Sequence, residues 1–185
     1  EEVGISDSNV PVPVPDNENF IIGDIELSFQ YVPQAAYQLQ ALRLLKETHV
    51  SNSTQNKADL IVIGGGAWDC LNHSNDQDRK DLRKTLTNLV IEIKASNYLG
   101  SPVAWMTPTT INNAALSKEI ERAHMKEDDM KEIRTLYEAI GILSSSAFVI
   151  DGPSFTQDRV KEAYDGVNYP LPVYDAGAQI LANSL

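Results

Sequence analysis

The chain has 185 residues, 42% of them hydrophobic and 22% charged, proportions of a folded domain with a sizeable core and not of a disordered chain. Its net charge is −11 at pH 7, and its basic residues are scattered among acids, as in residues 76–84 and 118–134; without a basic stripe to displace counterions from phosphates, nucleic-acid binding is excluded. The single cysteine, Cys70, rules out an intrachain disulfide, and no apolar run approaches the roughly 20 residues that a membrane span needs.

The acidic opening Glu1-Glu2-Val3-Gly4 lacks the apolar core of a signal peptide, so the chain is expected to be either cytosolic or a mature or excised part of a longer product. In residues 1–19, Pro11, Pro13 and Pro15 alternate with valines. Each proline removes an amide donor and favours extended geometry, which predicts an arm or linker ahead of a domain at 20–185. Residues 25–31 then alternate, with Ile25, Leu27, Phe29 and Tyr31 on one face and Glu26, Ser28 and Gln30 on the other. That pattern predicts a half-buried strand, ended by Pro33.

Residues 34–48 carry Ala35, Leu39, Leu42 and Leu45 at helical spacing, and residues 49–57 form a polar loop. Leu60-Ile61-Val62-Ile63 is an all-apolar strand of the kind covered on both faces, and it runs into Gly64-Gly65-Gly66. Ser74 with Gln77 three residues later predicts a capping box, opening a long helix through Leu82, Leu86, Leu89, Val90 and Ile93. Val103 to Met106 is the next buried strand. Residues 117–143 are predicted helical and stop near Gly141. Residues 147–150 form a further strand, closed by a turn at Asp151-Gly152-Pro153. A short helix over 157–163, a loop over 164–172 and a last helix starting after Asp175 complete the chain. Strands that alternate with helices predict right-handed crossovers and a mainly parallel sheet in a three-layer α/β/α arrangement of flavodoxin-like type.

Ligands of open parallel sheets bind beyond the carboxyl ends of the strands, which singles out residues 64–69, 107–110 and 165–168. The glycines Gly64, Gly65 and Gly66, followed by Ala67-Trp68-Asp69, allow backbone amides to approach a ligand, as an oxyanion hole requires. They lack the spacing of a dinucleotide fingerprint and the Lys-Ser or Lys-Thr of a phosphate loop. The bland alternative is a tight turn with Trp68 as a packing anchor. In Asp165-Gly166-Val167-Asn168-Tyr169-Pro170, Asp165 stands where Asp-x-x-His would deliver a triad acid and base, but the fourth residue is Asn168. An amide cannot take a proton from a hydroxyl near neutral pH. His49, His73 and His124 read as solvated residues, Cys70 as a small apolar filler, and no histidine or cysteine cluster has metal-ligand spacing. No cofactor is implied. Two sequons, Asn52-Ser53-Thr54 and Asn72-His73-Ser74, lean towards a secretory compartment.

Together these segments resemble a known family. Residues 59–68, Asp-Leu-Ile-Val-Ile-Gly-Gly-Gly-Ala-Trp, are similar to the third conserved block of SGNH hydrolases, in the variant found in capsule and sialic-acid O-acetyltransferases. Residues 165–170 resemble that family's closing Asp-Gly-Leu-His-x-Pro block, residues 174–183 resemble the helix that precedes its membrane portion, and residues 25–33 match the strand before its first long helix. The resemblance covers 25–185. It implies an SGNH-hydrolase-like fold and a Golgi or other secretory-lumen domain, working beside a membrane-embedded domain or other subunits. There an acetyl-serine intermediate would pass acetyl to a carbohydrate hydroxyl, with a histidine as base, an aspartate to orient it and amides to hold the oxyanion.

Two departures matter. Gly-Asp-Ser does not occur; the nearest string, from Phe20 to Ile25, puts Ile25 at the nucleophile position. The base position is Asn168. Only Asp165 and the glycine segment carry over, so the chain is expected to be catalytically inactive as it stands. The readings that remain are a fragment or diverged acetyltransferase domain, a non-enzymatic binding or scaffolding subunit, and an unrelated α/β enzyme.

Overall fold

The computed structural model describes residues 18–51, 57–71 and 75–184, the side chains of 48–51 excepted. The expected arm at 1–19 lies outside the described residues but for Glu18 and Asn19. The chain divides into two compact units, Glu1–Val32 and Pro33–Leu185.

In the first unit, β1 (Glu18–Ile22) and β2 (Ile25–Phe29) form an antiparallel hairpin in which Ile22 faces Ile25 and Phe20 faces Leu27. Gly23, at φ 62°, supplies the left-handed residue that the two-residue turn demands. Opposed residues share a face, so Phe20, Ile22, Ile25, Leu27 and Phe29 make one apolar stripe, and each is about half exposed or more. The alternation at 25–31 therefore marks a real strand, shorter than expected, but not a half-buried one and not a member of the parallel sheet. Period-two spacing identifies a strand without naming its partner, and the Gly23-Asp24 turn signal was the clue to a local one.

The second unit opens with α1 (Ala35–Ser51), which buries Ala35, Leu39 and Leu42. β3 (Ile61–Gly64) follows, then α2 (Ala67–Leu71), α3 (Asp76–Tyr98) and β4 (Val103–Met106). The chain continues through α4 (Glu119–His124), α5 (Glu127–Ile140), α6 (Ile142–Ser145) and β5 (Phe148–Ile150). It ends with α7 (Gly152–Thr156), a 3-10 stretch (Gln157–Glu162) and α8 (Leu171–Ser184).

The strands form a parallel sheet in the order β3-β4-β5. Register fixes its two faces. Ile61, Ile63, Val103 and Trp105 share one face and pack into a core with Leu42, Leu86, Leu89, Ile93, Met130 and Tyr137, from α1, α3 and α5. Met106, Phe148 and Ile150 share the other and pack with Phe155, Tyr169, Val173 and Ile180. The architecture is three-layer α/β/α. Val62, on the edge strand, is 47% exposed, so β3 is not covered on both faces as its apolar run suggested.

Local chemistry moved several expected boundaries. The cap of α3 is Asn75, whose side chain accepts from the Gln77 and Asp78 amides; Ser74 lies outside the described residues. The expected helix at 117–143 breaks at Met125 and Lys126, where the Asp129 carboxylate accepts the Lys126 amide and starts a new helix. That helix ends at Gly141, in the left-handed region, as expected. Asp151-Gly152-Pro153 is a helix start and not a turn. Asp151 accepts from Ser154 N at 3.1 Å, and Pro153 sits in the first turn, where its missing N–H costs nothing. Pro172 likewise lets α8 begin at Leu171, ahead of Asp175.

Candidate functional site

The segments after β3, β4 and β5 converge at the carboxyl edge of the sheet. After β3, the glycines are required by what surrounds them. A Cβ on Gly65 would lie 2.4 Å from Gln38 Nε2, and one on Gly66, at φ 117°, would lie 2.8 Å from the Tyr137 hydroxyl and 2.7 Å from Pro108 Cγ. Gln38 Nε2 donates to the Gly64 carbonyl at 2.9 Å, and the Asp69 carboxylate accepts the Ala35 amide at 3.1 and 3.3 Å. The first turn of α1 is thus stapled to the glycine segment at both ends. Asp69 is 3% exposed, and burial outweighs its backbone hydrogen bond, pushing its carboxyl up to about 6. Burial, together with the nearby carboxylates Asp129, Asp69 and Glu132, pushes the Cys70 thiol up to about 12. It is a buried, inert thiol.

After β4, Thr107 is committed on both sides: its hydroxyl donates to Asp151 Oδ1 at 3.2 Å and accepts the Gly152 amide at 2.9 Å. Tyr169 donates its hydroxyl to the Thr110 carbonyl at 2.6 Å, tying this loop to the last one.

Beyond β5, that last loop is organised by Asp165. Its Oδ1 accepts the Val167 and Asn168 amides at 2.9 and 2.7 Å, and its Oδ2 accepts Asn168 Nδ2 at 2.6 Å. Partial burial acts to raise the carboxyl, but the donors from Asn168 and Val167 outweigh it and hold Asp165 below the usual carboxylate range.

A cavity of about 130 Å³ lies where the three segments meet. Gly65 and Ala67 line it from the first, Met106, Thr107 and Thr109 from the second, and Val167 and Asn168 from the third. Tyr174, at the start of α8, closes one side. Gly65 and Asn168 are therefore brought to one space, with Asp165 bonded to Asn168. Gly64, Gly66 and Trp68 are not on its wall: Gly64 packs on Met106, Gly66 on Tyr137 and Pro108, and Trp68 is half-buried in α2.

Sequence reasoning did not find Tyr174, nor Gln38 and Asp69 as partners across the α1 junction. A polar Gln38 one residue before Leu39, on the apolar side of a helix, was the available signal for the second pair. His73, the His49 side chain and both sequons lie outside the described residues. Among the described residues there is no group of three or more metal-ligating side chains, and no helix is long and apolar enough to cross a membrane.

No protein-family model matches this chain, and no curated protein matches it. A solved structure is similar to it: Est24, a carbohydrate acetylesterase from Sinorhizobium meliloti. The two share 11% identity with a TM-score of 0.48, over 88% of this chain and 92% of the other.

Proposed function

We propose that this chain is an SGNH-like domain related to the carbohydrate O-acetyltransferases and acetylesterases, and that as it stands it binds at its sheet edge without turning substrate over. One observation carries the reading. On the resemblance Asn168 stands in the place of a triad base, and it donates Nδ2–H to Asp165, as the Nδ1–H of an imidazole would. The orienting half of an Asp–His pair is thus retained. The proton-accepting half is not, because the other end of the side chain is an amide oxygen, too weak a base to activate a hydroxyl near neutral pH. Gly65 beside it offers the close backbone approach that an acyl oxygen needs.

The test is direct. The purified chain should show no turnover of p-nitrophenyl acetate and no labelling by a serine-directed fluorophosphonate; either activity would sink the reading. On the same reading the chain works in the secretory lumen beside a membrane-embedded domain, where glycans on Asn52 and Asn72 would be found by mass spectrometry of secreted protein. A second reading, a binding or scaffolding subunit, draws on the exposed apolar stripe of the β1–β2 hairpin and predicts stable co-purification with a partner chain.

A further inference from the structure

The wall of the cavity between Gly65 and Asn168 restricts what it can hold, if the non-turnover reading above is correct. Its polar groups are largely committed. The Thr107 hydroxyl has used its proton on Asp151 and accepts from Gly152. Asn168 Nδ2 is held by Asp165, and a carboxylate kept ionised accepts only, so the amide cannot be turned round. Its Oδ1 is the end left over, and no group among the described residues donates to it. Tyr174 is the complement: its hydroxyl oxygen accepts the Tyr169 amide at 3.2 Å, leaving the O–H proton to donate. Met106, Ile111 and Val167 give the wall an apolar part. No carboxylate or cation lines it, although the chain carries a net charge of −11.

A fixed acceptor on Asn168, a donor on Tyr174, the Thr109 hydroxyl, which can do either, and an apolar wall match a small neutral amide. We infer that the cavity takes an acetamido group, with its N–H on Asn168 Oδ1, its carbonyl on the Tyr174 hydroxyl and its methyl against Met106 and Val167. The cavity, of about 130 Å³, has room for a group of this size. An acetyl ester has the same shape but no N–H. Asn168 is exposed, so in the ester's complex its Oδ1 falls to water, but the ester forgoes the hydrogen bond that the amide makes there and binds more weakly.

Ligand-observed NMR titration of the whole chain tests this with methyl N-acetylglucosaminide, 6-O-acetylglucose, glucosamine and N-acetyl-lysine. The acetamido methyl should show saturation transfer, the ester should bind at least about tenfold more weakly, and glucosamine should not compete. Binding of the sugar without N-acetyl-lysine assigns a glycan source, and the reverse assigns an acylated amine; both support the acetamido assignment. Ester binding equal to the amide, or no binding of either acetamide, overturns it. Release of free acetate from the ester would instead overturn the non-turnover reading and leave the amide preference standing. Asn168→Leu should abolish the preference of amide over ester; a Tyr174→Phe variant, folded by its thermal transition, should weaken both ligands alike. A preference that survives Asn168→Leu also overturns the assignment.

Discussion

Asn168 Nδ2 lies 2.6 Å from Asp165 Oδ2, while Oδ1 of the same aspartate gathers the backbone amides of Val167 and Asn168. The side chain that the resemblance would put in place of a triad's base is here the last donor in a closed four-residue turn. Its orientation is set by charge: a carboxylate with three N–H donors has no use for the amide's oxygen. The turn presents Asn168 to the cavity shared with Gly65.

Asn168→His restores an imidazole next to Asp165 and is expected to leave p-nitrophenyl acetate turnover at the level of the parent. Without a hydroxyl to deprotonate, the imidazole has no route to an acyl-enzyme on a serine or threonine, and a surface side chain adds no more than the same amount of free imidazole does. The Thr107 hydroxyl directs its O–H at Asp151, and Ile25 stands where the resemblance would put the serine. Turnover clearly above the parent, lost again on mutating Thr109, would show that a nucleophile lies within the cavity.

Asp69 makes the stability of the fold fall as pH rises. Its ordinary value is 3.8 and burial takes it to about 6, so between those values the folded chain holds the proton more tightly than the unfolded one. The contribution is unfavourable above about pH 6 and vanishes as pH falls below 3.8. A carboxyl displaced that far carries a penalty of about 3 kcal/mol. Asp69→Asn keeps a carbonyl oxygen for the Ala35 amide and removes the charge. In urea unfolding at a series of pH values, the variant should gain on the parent at pH 7 and converge with it near pH 4. Parallel pH profiles would show that Asp69 is not the group responsible.

The sheet strands were legible because their apolar runs are too short for helices and are bounded by turn residues: residues 60–63, 103–106 and 147–150 all lie on β3, β4 and β5 to within a residue. The hairpin was misplaced because its alternation says nothing of what covers it. Helix starts were harder. Asn75 and Asp151 cap their helices, and Asp129 bonds back to the Lys126 cap, by geometry local to the loop, and near them Ser74 and the turn residues Gly152 and Pro153 gave competing signals. At the site, residues within one segment were readable and residues joined across segments were not. Asp165 with Asn168 is a four-residue pattern; Tyr174 with Tyr169, or Gln38 with Gly64, needs the folded chain.

The glycine segment offers the sharpest contrast between packing and conformation. Gly65→Ala places a methyl 2.4 Å from Gln38 Nε2, the end of a side chain that can withdraw only by giving up its bond to the Gly64 carbonyl. The cost is that of one buried hydrogen bond and some repacking, about 1–3 kcal/mol. At Gly66 the methyl meets Pro108, Tyr137 and Ile133 together, and the residue sits at φ 117°, where an L side chain is strained whatever the space. Neither Tyr137, fully packed against Trp105 with ring centroids 5.2 Å apart, nor Pro108 can move away. Gly66→Ala should therefore cost more than Gly65→Ala. A double variant Gln38→Ala, Gly65→Ala should recover part of the Gly65→Ala loss, because the colliding amide is gone, whereas Gln38→Ala should do nothing for Gly66→Ala. Chemical denaturation of the five variants and the parent checks the pattern; equal losses at the two glycines, or rescue of both by Gln38→Ala, would show that the segment yields as a unit.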